Sequence, residues 1–121
     1  MDFTLQNSMP IWQQLAAQLR ERIVTGVYPA GSRFPSVREL AAEAGVNPNT
    51  MQRAMAQLES DGLVITNRTA GRTVTEDSEV LETMRRCLAR DRAREFFVKM
   101  EALGYCRSEA AALVREGDIH E

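Results

Sequence analysis

The stretch VNPNTMQRAMAQLESDGLV (46–64) carries side chains able to read a planar hydrogen-bonding edge. Wound as a helix at ~100° per residue, it puts Met51, Ala54, Met55 and Leu58 on one side and Asn49, Arg53, Ala56 and Ser60 on the other, flanked by Thr50 and Gln52. Asn and Gln amides fit the adenine edge bidentately, Arg fits guanine, and Ala56 permits close approach or contact with a thymine methyl. A merely solvated helix more often shows Glu and Lys. Outside this face, Arg38 at a helix start and Arg68 and Arg72 further on are suited to holding phosphate oxygens. The alternative for Arg38 is an ion pair with a carboxylate such as Glu43, and the alternative for the polar face is plain solvation.

The neighbouring sequence supplies the elements that would present these groups. Asn47 is a good N-cap, and Pro48 suits the first helical position, where its missing N–H costs nothing. Upstream, SVRE (36–39) is a capping box, with Ser36 and Glu39 each able to bond the other's backbone N–H. It starts a helix whose apolar face is Val37, Leu40, Ala41 and Ala44, and Gly45 ends it where a left-handed residue is wanted. Only a tight turn fits between Gly45 and Asn47, so the two helices form a helix-turn-helix. A first helix over 10–25 repeats Ile11, Leu15, Leu19 and Ile23 and ends at Gly26, and VYPAGSRFP (27–35) reads as turns. Trp12 and Tyr28 read as core or capping residues of that helix. LVITN (63–67) and RTVT (72–75), around RTAG (68–71), read as a hairpin. The fold class is mainly α with a small β-hairpin: a winged helix-turn-helix over 1–77, then a two-helix C-terminal hairpin over 78–121.

That second segment is rich in Arg, Glu, Leu, Met and Ala. Its long helix to about 103 carries Leu81, Met84, Leu88, Phe96, Phe97, Met100 and Leu103, and a short one follows over 108–116. So few residues cannot bury both apolar sides, and pairing these seven against a second copy is the simple remedy, a homodimer.

The chain has 121 residues, room for one ordinary domain or a small domain with an appendage. Its net charge of −2 argues at first against nucleic acid, but 14 of its 15 basic residues are arginine, with Lys99 the exception. No apolar run approaches a membrane span, and MDFTLQNSMP lacks the features of a signal peptide, so a cytoplasmic protein without membrane contact is expected. Cys87 and Cys106 lack metal-ligand spacing and read as free, buried or half-buried thiols. One histidine, His120 in the tail, one lysine, no glycine-rich phosphate loop and no nucleophile with a partner exclude a catalytic constellation. The chain reads as a non-enzyme, with no cofactor and no metal.

PIWQQLAAQLRERIVTGVYPAGSRFPSVRELAAEAGVNPNTMQRAMAQLESDGLV, with the wing and VTED after it, resembles the winged-helix domain of the GntR family of bacterial transcription regulators. The short C-terminal helical pair resembles its YtrA subfamily. The resemblance is close over 9–77 and rests on length and pattern over 78–121. It implies DNA contacts by Arg38, by Asn49, Thr50 and Gln52 or Arg53 at the start of the third helix, and by the wing-tip Gly71; Asn47, Arg68 and Arg72 complete the expected DNA-binding set. The chain departs from the family at Pro48 and Gln52, where many members carry arginine, and in the wing, where Thr69 stands at a glycine and Thr73 at a phenylalanine. The expected function is a homodimeric regulator, a repressor on a near-palindromic double-stranded DNA operator, with transporter genes as candidate targets and a small-molecule effector unknown. Two alternatives are a winged helix used for protein association and a small-molecule sensor with a pocket at the C-terminal helices.

Overall fold

A computed structural model describes residues 2–6, 8–69 and 71–117. His120 and Ala70 at the wing tip lie outside the described residues. Among those, five helices and one two-stranded hairpin occur, in the order α1 (Ile11–Val24), α2 (Val37–Ala44), α3 (Pro48–Ser60), β1 (Val64–Asn67), β2 (Gly71–Val74), α4 (Ser78–Ala102) and α5 (Arg107–Glu116). The chain divides into two compact units, Met1–Arg85 and Arg86–Glu121.

In the first unit the local signals set the helix ends. The Glu39 N–H donates to Ser36 Oγ at 3.1 Å and the Ser36 N–H donates to Glu39 Oε1 at 3.0 Å, closing the capping box of α2. Gly45 follows with φ 69°, a left-handed turn that L side chains avoid, and open space lies beyond its Cα. Asn47 then caps α3, its Oδ1 accepting the Asn49 N–H at 2.7 Å. One face of each helix closes the core: Leu15, Leu19 and Ile23 of α1, Leu40 and Ala41 of α2, and Met51, Ala54, Met55 and Leu58 of α3. Each of the larger side chains among them contributes about 1.5–3 kcal/mol by leaving water. Val80, Leu81 and Met84 at the start of α4 also pack against this core.

β1 and β2 pair antiparallel, Val64 opposite Val74 and Asn67 opposite Gly71. The segment 31–34, read from sequence as turns alone, lies along the free edge of β2. The Gly31 N–H donates to the Val74 carbonyl, the Val74 N–H to the Ser32 carbonyl, and the Phe34 N–H to the Arg72 carbonyl, at 2.8–2.9 Å. Arg33 and Thr73 form a single antiparallel bridge. Phe34 is thereby buried, with Tyr28 edge-on at 4.9 Å between ring centroids. At the other end, two glutamines of α1 hold Thr4, Gln6 and Met9. Gln18 exchanges two hydrogen bonds with the backbone of Thr4, and Gln14 accepts from the Gln6 N–H and donates to the carbonyls of Gln6 and Met9.

The second unit fully buries one described side chain, Ala110 of α5. Phe96 and Phe97 meet edge-on at 5.3 Å, and the Arg107 guanidinium lies 4.7 Å from the Phe97 ring centre. Cys87 and Cys106 are exposed, contrary to the expectation of buried or half-buried thiols, because the unit has too little core to cover them. The Cys106 backbone N–H donates to Glu109 Oε1 at 2.9 Å and so caps α5. That bond, with the Cys106 side chain, holds the Glu109 carboxyl below its ordinary pKa.

Candidate nucleic-acid interface

The exposed side of α3 has the composition read from the sequence: Asn49, Gln52, Arg53, Ala56 and Ser60 face solvent, and Thr50 is half-buried. The two flanks of this face differ. On one, Glu59 accepts from the Thr66 hydroxyl of β1 and lies 3.6 Å from Arg72 Nε of β2, which ties the wing to α3. On the other, the Arg53 guanidinium stacks 4.7 Å above the ring centre of Trp12, the second residue of α1. The indole is half-buried, and the outer face of Arg53 is open to solvent.

The remaining site residues fall into two groups. Arg38 and Arg68 are exposed, and among the described residues neither has a carboxylate partner. Glu43, the partner considered for Arg38, instead binds Arg22 of α1 at 2.8 Å. Asn47 is exposed but spends its side-chain oxygen on the cap of α3, which leaves its amide N–H₂ free. Arg72 is half-buried against Glu59, and its Nε finds no hydrogen-bond acceptor, so its first visible role is bracing the wing. Gly71 takes φ 73°, which lets the hairpin turn without strain. Thr73 accepts at 2.8 Å from the side-chain amide of Asn67 on β1, a polar bond across the hairpin.

Two participants escaped the sequence reading. Glu59 is the acid that connects α3 to both strands, and Trp12 supports Arg53; each acts on a residue far along the chain, so no local pattern marks it. Arg22 organises the opposite side of the unit. It is 4 % exposed, donates to Glu43 at 2.8 Å and to the Tyr28 hydroxyl at 2.6 Å, and stacks 4.1 Å over Phe3. Burial works against its charge, but the bonds to Glu43 and Tyr28 outweigh burial and raise its pKa above the ordinary arginine value.

The residues proposed for pairing are divided between the units. Leu81 and Met84 are half-buried on the first unit's core. In the second, Leu88, Phe97 and Met100 are half-buried, whereas Phe96, Val98, Leu103, Tyr105, Leu113 and Val114 are exposed.

Residues 11–74 match the family described as "Bacterial regulatory proteins, gntR family". The chain is 37% identical over 109 residues to the HTH-type transcriptional regulator YhcF of Bacillus subtilis, covering 90% of each. It is 36% identical to the HTH-type transcriptional repressor YtrA of the same organism over 61% of this chain and 57% of that one. A solved structure, a GntR family transcriptional regulator from Listeria monocytogenes, superposes with a TM-score of 0.79 at 37% identity, covering 93% of this chain and 98% of that one.

Proposed function

The chain belongs to the GntR family of bacterial regulatory proteins, DNA-binding transcription regulators and not enzymes, and on that premise we propose that it acts in the cytoplasm as a homodimeric repressor on a near-palindromic operator. The observation that carries this reading is the exposed face of α3, whose centre is free of the ion pairs that occupy its flank. Asn49 is the base reader, since it projects from the first turn of a capped helix that a groove can admit end-on. Arg38, Arg68 and the backbone at Gly71 hold phosphates on either side and set the register. The similarity to the repressor YtrA supports the sign of regulation. The small-molecule effector is unknown, and transporter genes are the first targets to examine.

Dimerisation is assigned to the second unit. Val98 and Leu103 stand 61% and 74% accessible in a unit that, among the described residues, buries only Ala110, too little for apolar side chains to be satisfied within one copy. Two recognition helices one DNA turn apart then read two half-sites. The test combines sedimentation with selection of duplexes from a random pool by the full-length protein. A dimer that recovers a symmetric motif, with affinity falling steeply as salt rises, is the expected result. A monomer, or binding without any recovered motif, refutes the proposal.

A further inference from the structure

We propose that Trp12 is a positioning residue for DNA binding: stacked under Arg53, it turns that guanidinium toward a backbone phosphate rather than a base edge. The inference rests on the reading that α3 lies in the major groove. Along α3 the buried line runs through Met51, Ala54, Met55 and Leu58, so the middle of the open face runs near Asn49, Ala56 and Ser60, and Arg53 springs from between Ser60 and Gln57. Gln52 and Glu59 lie toward the wing. Arg53 leans the other way, onto α1, and Gln57 one turn later lines a groove of about 320 Å³ with Trp12. A helix seated in a groove aims its middle at base edges and its flanks at the two phosphate rims. Arg53 therefore reaches a rim.

The chemistry of the stack agrees. The indole covers one π face of the guanidinium and leaves the in-plane N–H groups free to donate. Among the described residues no carboxylate pairs with Arg53, and Asp61 and Glu59 are engaged by Arg20 at 2.8 Å and by Arg72. Because Trp12 is fixed on α1, the long Arg53 side chain is ordered before DNA arrives, and less freedom is lost on binding.

The test uses full-length wild type, Arg53→Ala, Trp12→Leu, Trp12→Phe and the Arg53→Ala/Trp12→Leu double variant, on a duplex recovered by selection and on a scrambled duplex. Arg53→Ala should flatten the salt dependence by roughly one phosphate contact on both duplexes while the selected motif stays the same. Trp12→Leu should weaken binding about two- to five-fold, the scale of one cation–π contact, add nothing to Arg53→Ala, and be restored by Trp12→Phe. Trp12 is the sole tryptophan, so its emission in the free protein should change in Arg53→Ala, which reads the stack independently of DNA. A motif that relaxes at one position in Arg53→Ala, additive losses in the double variant, or unchanged emission overturns the inference. Absence of salt-dependent binding by wild type defeats the groove reading itself, whereas normal wild-type binding with an unchanged slope in Arg53→Ala defeats only this one.

Discussion

Arg22 and Asn49 show how differently two polar residues are used in one small unit. Arg22 is enclosed by Glu43, Tyr28 and Phe3, so Arg22→Met should destabilise the fold by about 2–4 kcal/mol, measured as a lower urea midpoint with an unchanged slope. Asn49 faces water, and its loss should leave stability nearly intact. On the best operator, Asn49→Ala should cost about 1–3 kcal/mol and relax one position per half-site, read by selection from a randomised operator. Arg38→Ala should instead weaken binding to every sequence and lower the salt slope by about one. The helical period placed Asn49, Gln52 and Arg53 on the open face directly. It could not show that Arg53 leans on Trp12, or that Arg72 is held by Glu59, because those partners depend on how α1 and the wing pack against α3.

Among the elements, α2 and its turn were the most legible, since Ser36, Glu39, Gly45, Asn47 and Pro48 act on backbone groups within a few residues. The N–H of Ser36, with the Ser36 side chain, holds the Glu39 carboxyl below its ordinary value, so the carboxylate stabilises the folded state. That contribution is complete above the unfolded glutamate pKa of about 4.3 and is lost as pH falls through the lower folded value. Thermal midpoints of wild type and Glu39→Gln should therefore differ at neutral pH and converge in acid. A gap that does not depend on pH would show that charge plays no part in the cap. Ser36→Ala should cost about 1 kcal/mol. The strand-like segment 31–34 was hidden because its bonds run to Arg72 and Val74, some forty residues on, and Gly31 with the flanking Pro29 and Pro35 advertises only turns.

At the level of the whole molecule, the apolar residues after 78 were visible as a set, but the structure divides them between the two units. Leu81 and Met84 complete the core that α1 to α3 begin, a role that periodicity cannot distinguish from a seam between copies. Variants meant to break the dimer should therefore leave them alone. Val98→Asp or Leu103→Asp should sediment as a folded monomer and lose most operator affinity, because one module buries little surface on DNA. A charged variant that remains a tight dimer would move the seam elsewhere. Thr4 and Gln6, clasped by Gln18 and Gln14, have a consequence of another kind. The amides of Thr4 and Gln6 donate to side-chain oxygens although no helix or strand contains them. In deuterated water these two N–H groups should exchange far more slowly than an unstructured peptide, and Gln14→Ala or Gln18→Ala should release them while the protection of α3 persists.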